Sequence, residues 1–296
     1  MAERHLRGWL PDVPDHRDLP FRLAAPRPAP PTADVGALVN PAPDQSTIGS
    51  CVGNSSSSGL EAFYRRAGKG PVDFSRLFVY WHARLLGGFP TSQDTGCYIR
   101  DAMKVLAKYG ACFEATWPYD ISKYTVQPPP AAIAEAEQHQ VLYYYRCADL
   151  DAIRASIGLD GFPVVGGFSV PDSIYSAETT KTGVVRYPAA GNKILGGHAV
   201  LFVGYDDTKR LLKFQNSWGT GWGQGGFGYL PYEFMLNGLA DDFWTIRDAE
   251  IPAPAPPPPP PPLPPPAPRP TPTPLPRRKR RGFVRPPTPR PIRRGR

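Results

Sequence analysis

Gln45-Ser-Thr-Ile-Gly-Ser-Cys51, continuing as Val52-Gly-Asn-Ser-Ser-Ser-Ser-Gly-Leu-Glu-Ala-Phe-Tyr64, is the stretch on which the fold turns. Val52, Leu60, Ala62, Phe63 and Tyr64 predict a helix from Ser50 to about Arg66. Its first half is almost all small. Small residues lower intrinsic helix stability, so this helix needs close tertiary contact on several sides. Cysteine acts as a nucleophile only when it is a thiolate. Cys51 follows Gly49-Ser50 at the start of the predicted helix, where free backbone N–H groups and the helix dipole favour a negative sulfur. Cys112 follows the helix-terminating Gly110 and Cys147 enters a strand, so neither shares that placement. On position alone, a bland buried thiol stays open for Cys51.

Outward from this helix the texture divides the chain. Ser75 to Leu86 and Ile99 to Tyr109 read as amphipathic helices, the latter ended by Gly110. After Tyr143, short β-branched and aromatic runs begin at Phe162, Ala199, Leu211 and Phe227, separated by Gly, Pro and Asp. They read as strands of an antiparallel sheet or open barrel, with one helix among them from Asp149 to Ile157. A helical first half followed by a strand-rich second half is an α+β arrangement with a cleft between two lobes.

The termini carry different information. Residues 251–296 hold 21 of the 40 prolines and 11 of the 34 Lys and Arg, with no Asp or Glu. Residues 1–250 hold 23 basic and 26 acidic residues, a net of −3, so the overall +8 belongs to the tail and the body is not a basic nucleic-acid-binding domain. No stretch approaches the ~20 apolar residues of a membrane span, and the N-terminus lacks the apolar core of a secretory signal. The expectation is a cytoplasmic protein, or one exported by a non-classical route. The cysteines at 51, 97, 112 and 147 form no C-x-x-C pair, which argues against a metal site and for reduced thiols.

Three motifs in order carry a family resemblance. Gln45-Ser-Thr-Ile-Gly-Ser-Cys51, Gly197-His198-Ala-Val-Leu-Phe-Val-Gly-Tyr205 and Asn216-Ser-Trp-Gly-Thr-Gly-Trp-Gly-Gln-Gly-Gly-Phe-Gly-Tyr229 resemble the corresponding segments of papain-like cysteine peptidases, bacterial-type branch. His198 lies 147 residues after Cys51, within the ~130–150 expected, and Asn216 lies 18 further on. Alone, His198 reads as a satisfied core residue, Asn216 as a turn residue and the Gly/Trp run as a loop; their linkage to Cys51 reverses these readings. His5, His16, His82 and His139 have no such linkage.

The resemblance implies a papain-like two-lobed fold whose central helix starts at Cys51, with a barrel-like second lobe. It implies Cys51 as nucleophile, His198 as its acid–base partner, Asn216 orienting His198, and Gln45 with the Cys51 N–H holding the oxyanion. Trp218 would shield the His198–Asn216 bond, and Trp222 would floor the leaving-group side. Gly96, Cys97 and Gly197 would touch substrate, with Cys97 replacing a cleft-lining glycine and lying partly exposed. No cofactor is implied, and the expected partner of a monomer is a peptide or protein substrate. Val52 stands where the family usually has Trp, Ser46 where it has Gly, and Ile48 where many relatives have a disulfide cysteine; none of these removes a catalytic atom. The competing readings are an acyl-transferring, transpeptidase-like relative and an inactive papain-fold binding module.

The expected organisation is a Pro-rich extension at 1–43, a peptidase domain at 44–250, a polyproline II linker at 251–276 and an arginine-rich tail at 277–296. The extension is too short and too Pro-rich for the family's helical proregion. Docking of Gly8–Asp18 on the back of the domain is the favoured expectation, and a course of that segment along the cleft is the alternative. The tail is a candidate for binding an anionic surface (lipid, nucleic acid or another polyanion) or a proline-recognising module.

Overall fold

In chain order the elements are β1 (Trp9–Leu10), β2 (Thr32–Asp34), α1 (Cys51–Arg66), α2 (Arg76–Leu86), β3 (Cys97–Tyr98), α3 (Ile99–Lys108), α4 (Pro130–Ala136) and β4 (Val141–Cys147). They continue as α5 (Leu150–Gly158), β5 (Val164–Pro171), α6 (Ala177–Thr182), β6 (Ile194–Asp206), β7 (Leu211–Gln215), β8 (Phe227–Pro231), α7 (Tyr232–Leu236) and β9 (Ala240–Ala249). The computed structural model describes residues 8–23 and 27–249. The expected linker and arginine-rich tail therefore lie outside the described residues.

Helix α1 runs between two layers, and its small residues are where the neighbours press closest. A Cβ at Gly53 would stand 2.6 Å from the Arg76 carbonyl oxygen, so α2 could not approach a larger residue there. A Cβ at Gly59 would be 3.4 Å from a Val165 methyl, on the sheet side. Every residue from Cys51 to Tyr64 is buried. This is the tertiary support that a Ser- and Gly-rich helix requires. Arg65 and Arg66 close it at the negative end of its dipole.

The other helices begin and end on local signals. The Ser75 hydroxyl accepts from the Phe78 N–H at 3.2 Å and caps α2. Beyond α3, Gly110 takes φ +75°, and a side chain there would collide with the Ala136 carbonyl of α4. Asp149 caps α5, accepting from the Ala152 N–H at 2.7 Å.

Seven strands form one sheet in the order β4-β9-β5-β6-β7-β8, with β2 added to β6. All of its pairings are antiparallel. The terminal strands β4 and β8 do not pair, so the sheet is open, within the antiparallel sheet or open barrel expected of this half. Strand β6 shows how both faces are covered: Ala199, Leu201 and Val203 pack with the helices, whereas Val200 and Phe202 pack with Phe214, Phe243 and the loop aromatics. Alternation along a strand produces that division.

The first 43 residues are less irregular than their composition suggests. Thr32–Asp34 adds a strand to β6, and Trp9–Leu10 pairs in parallel with β3. Farther along, Leu19 and Phe21 exchange backbone hydrogen bonds with Arg146 of β4. Among the described residues, no helix is long and apolar enough to cross a membrane.

Candidate active site

Cys51 is the first residue of α1, and the turn before it is fixed on all sides. The Gly49 N–H donates to both Asp94 carboxylate oxygens (3.0 and 2.9 Å), and the Tyr80 hydroxyl donates to the same group at 2.5 Å. The Tyr119 hydroxyl lies 2.5 Å from the Ser50 hydroxyl and donates to the Gln45 carbonyl at 2.9 Å. Gln45 is buried; its side-chain oxygen accepts from the Ser217 hydroxyl at 2.6 Å, and its amide nitrogen donates to the Ile48 carbonyl at 2.9 Å. The second N–H of that amide keeps Gln45 a usable donor.

His198 enters from β6, paired in register with Phe168 of β5. Its Nε2 lies 2.8 Å from the Asn216 Oδ1, which also accepts from the Ser217 N–H at 2.8 Å. That second bond fixes the Asn216 amide with its oxygen toward the ring, so Nε2 carries the proton. The Trp218 ring lies over the imidazole at 4.8 Å between centroids and 31° between planes, and Phe168 meets it edge-on at 5.8 Å. The Ala199 N–H, next along β6, points at Cys51 Sγ from 3.4 Å. The four residues of the three sequence motifs thus converge where the start of α1 meets β6.

A segment of the chain's own N-terminus lies over this place. A methyl group at Gly8 would come within 2.4 Å of Cys51 Sγ, and the Gly8 carbonyl accepts from the Cys97 N–H at 3.1 Å. The Trp9 ring fills a slot beside the cysteine, and its indole N–H donates to Asp242 at 3.0 Å. Next, the Asp12 N–H donates to the same Asp242 oxygen at 2.7 Å, while the Asp12 carboxylate accepts from the Trp244 indole at 3.1 Å. Arg100 then clamps Asp18 in a two-pronged pair (2.8 and 2.7 Å) and donates to the Val13 carbonyl at 2.6 Å. Residues 8–18 therefore form a strap along the site, and Cys51 and His198 are 0% and 1% exposed beneath it.

Burial dominates the ionisation of these groups. It pushes the Cys51 thiol up to about 12, against the opposing pull of the Ala199 and Val52 N–H groups. Burial and then the nearby Asp242 raise Asp12 to about 7. Asp242 is raised as well, again chiefly by burial. Under the strap the nucleophile position is a neutral thiol.

Comparison with known proteins gives this arrangement a family. The pattern of papain family cysteine proteases matches residues 29–235. The chain is 35% identical over 220 residues to an uncharacterized peptidase C1-like protein of Acanthamoeba polyphaga mimivirus, covering 71% of this chain and 70% of that one. The crystal structure of xylellain, a cysteine protease from Xylella fastidiosa, superposes with a TM-score of 0.73 at 32% identity, covering 84% of this chain and 99% of that one. Papain of Carica papaya is 29% identical over 193 residues, 64% of this chain and 50% of the papain sequence.

The chain belongs to the papain family of cysteine proteases.

Within this papain-family frame, the remaining expected site residues fall in different places. Gly197 lines the groove that the strap occupies, and the strap's Gly8–Trp9 portion touches Cys97 and Gly197; Gly96 (φ +72°), just before Cys97, donates its N–H to the Tyr80 hydroxyl at 3.2 Å. Cys97 is fully buried, which corrects the expectation of partial exposure: Trp9 pairs with it and Gly8 caps its N–H. Trp222 lies behind Trp218, edge-on to it at 5.4 Å, and packs on Phe214. All four cysteines are free thiols. His82 and His139 sit among aromatic rings in the helical core, bonded to the Phe78 carbonyl and the Tyr64 hydroxyl. Among the described residues, no group of three or more His, Cys, Asp or Glu side chains is placed to hold a metal ion. Asp94 and Asp242 were not singled out by the sequence, and Trp9 was named only as part of the Gly8–Asp18 segment; their roles depend on tertiary contacts for which no local motif exists.

Proposed function

We propose that this chain hydrolyses peptide bonds through Cys51 and His198, and that its strap holds the enzyme latent. The observation that carries the proposal is the 2.8 Å His198–Asn216 bond beneath Trp218, with Cys51 Sγ bound to the very next N–H of β6. With Nε2 bonded to Asn216, Nδ1 is the nitrogen that exchanges a proton with the thiol.

In the uncovered site the Cys51 proton passes to His198, and the thiolate attacks the scissile carbonyl carbon. The resulting oxyanion takes hydrogen bonds from the Cys51 N–H and the Gln45 amide, a contribution typically worth ~10²–10³ in rate per donor. The C–N bond then breaks as His198 returns the proton to the leaving amine, which leaves a thioester on Cys51. His198 next deprotonates a water that attacks the thioester, releasing the acid and restoring the thiol. An active-site-directed epoxide should alkylate the wild-type chain and spare Cys51→Ala. Equal labelling of both chains would refute the assignment of the nucleophile.

Asn216 orients the imidazole without taking part in bond making. Asn216→Ala should therefore lower kcat on a small peptide by roughly 10–10³-fold and leave measurable turnover, well short of the loss from removing the nucleophile. Turnover unchanged from wild type would mean that the ring is held by its packing against Trp218 and Phe168 alone.

The strap's grip should depend on pH in a defined direction. Asp12 faces Asp242 on β9 and Arg100 on α3; Arg146 of β4 pairs in turn with Asp242 and Asp241, and Arg100 with Asp18 on the strap. Its carboxyl rises from the ordinary 3.8 to about 7 when the strap is down, so closure takes up a proton. Closure is thus fully favoured below about pH 4 and weakens as pH rises through 7. Asp12→Asn keeps a neutral acceptor for Trp244 and removes the titration. The rate of Cys51 alkylation in wild type relative to Asp12→Asn should rise about tenfold or more between pH 5 and 8, and a flat ratio would exclude this coupling.

A further inference from the structure

We infer that Asp94 is a positioning residue for the oxyanion donors: its carboxylate holds the Ile48–Gly49 peptide unit, and through that unit the Gln45 side-chain amide. The inference rests on the peptidase reading and adds to it a residue that acts through its neighbours.

The connection runs through a single peptide plane. On one side the Gly49 N–H donates to the Asp94 carboxylate, 3.0 and 2.9 Å from its two oxygens. On the other, the Ile48 carbonyl accepts from the Gln45 amide nitrogen at 2.9 Å. The N–H and C=O of one peptide unit are held rigidly in one plane, so turning this unit moves both bonds at once. Gln45 gives one N–H to Ile48 and keeps the other for the oxyanion. The direction of that second N–H is therefore set by where the Ile48 carbonyl points. The Gln45 oxygen is fixed separately by the Ser217 hydroxyl at 2.6 Å, so the amide is located at two points, and one of them depends on Asp94.

The turn needs such a hold. Ser46 has φ +57°, in the left-handed region, which a residue with a side chain keeps only where its surroundings determine it. The Asp44 carboxylate takes up the Ser46 N–H at 2.8 Å and secures the first half of the turn. Asp94 secures the second half, with a charge-assisted bond roughly twice as strong as a neutral one.

Asp94 is in turn fixed by α2. The Tyr80 hydroxyl donates to its Oδ1 at 2.5 Å and accepts from the Gly96 N–H at 3.2 Å. Arg84, one helical turn further on, donates to the Thr91 and Gln93 carbonyls at 3.0 and 2.5 Å and lies over the Tyr80 ring at 4.2 Å. Tyr80 and Arg84 are both fully buried. The chain on either side of Asp94 is thus tied to the helical core, and the carboxylate carries that rigidity to Gly49. Its charge works against the nucleophile: burial is the main reason that the Cys51 thiol lies high, and Asp94 pushes it the same way. Removing the charge should therefore not slow a reaction that needs the thiolate alone.

The test uses the full-length Trp9→Ala chain, whose strap has lost its buried indole, and two reactions that differ in one respect. Hydrolysis of a small peptide arylamide passes through an oxyanion. Alkylation by iodoacetamide joins the same sulfur to a methylene carbon as iodide leaves, and forms none. Adding Asp94→Ala should lower kcat by about 10–10²-fold, most of the worth of one donor, with KM within about threefold. Alkylation should keep at least about half its rate, since it follows the thiolate. Asp94→Asn, which keeps an acceptor for the Gly49 N–H, should restore kcat to within about fivefold. In a Gln45→Ala background the loss from Asp94→Ala should shrink to about threefold or less, because no amide remains to be misplaced. Unchanged kcat in Asp94→Ala, an equal loss with and without Gln45, or alkylation that falls as far as turnover would each overturn the inference and leave the peptidase reading intact. If Asp94→Ala does not fold, Tyr80→Phe decides, since it keeps the buried ring and removes the hydroxyl that orients Asp94. A kcat loss of about threefold or more that vanishes in the Gln45→Ala background supports the inference. No loss, or a loss that persists there, overturns it. A Trp9→Ala chain that neither turns over peptide nor is alkylated would defeat the peptidase reading and this inference with it.

Discussion

Trp9→Ala in the full-length chain should raise the rate of Cys51 alkylation, and of small-peptide turnover, by roughly 10²–10³-fold. The indole is 5% exposed, wedged against Gly167 and Gly197, and bonded to Asp242. Truncating such a buried aromatic typically costs about 3–5 kcal/mol. That cost falls on the closed strap, because the slot belongs to the domain and the indole to the strap. At about 1.4 kcal/mol per factor of ten, it shifts the open fraction by some two to three orders of magnitude. Some latency should remain, because Arg100 still holds Asp18 and the Val13 carbonyl. Alkylation kinetics of the two full-length chains check this directly. Identical rates would show that the strap does not limit access to Cys51.

Cys51→Ala, made in that same opened background, should lower peptide hydrolysis by about 10⁵-fold or more, with His198→Ala nearly as severe, since members of such a unit fail together. The fold should survive. The Cys51 sulfur only accepts from backbone N–H groups, that of Ala199 at 3.4 Å among them, and alanine fits the small-residue face of α1. Melting temperatures within a few degrees of the parent should accompany the loss of turnover. Hydrolysis persisting at the parental rate in Cys51→Ala would end the reading.

What the sequence made legible follows a physical pattern. The central helix was readable to within a residue, from Ser50–Arg66 expected to Cys51–Arg66 found, because its small-residue half and its aromatic end leave few alternatives. The capped helices after Ser75 and Asp149 were readable for the same local reason. Strand β9 was not: it opens on Ala240-Asp-Asp, which reads as a loop, yet it pairs with both β4 and β5 in the middle of the sheet. Whether the sheet closes depends on its edge strands, and no residue pattern in β4 or β8 specifies that. Cys97 was misjudged because its exposure is set by Trp9, 88 positions earlier in the chain. The course of the strap was half legible: a cleft course for Gly8–Asp18 stood as the alternative to docking on the back of the domain, and a two-residue strand among prolines carries no periodicity that decides between them.

The anchoring of Leu19 and Phe21 to β4 has a consequence for how the enzyme could be switched on. Because the strap is tied to the domain just past Asp18, its effective concentration at the cleft is set by a short tether, on the order of millimolar, and is unaffected by how dilute the protein becomes. Latency of this kind survives secretion, dilution and dialysis, all of which strip away an inhibitor held as a separate molecule. It ends when the tether is cut or the strap loses its grip, and a cut between Asp18 and the anchor converts a permanent intramolecular ligand into a peptide free to diffuse away.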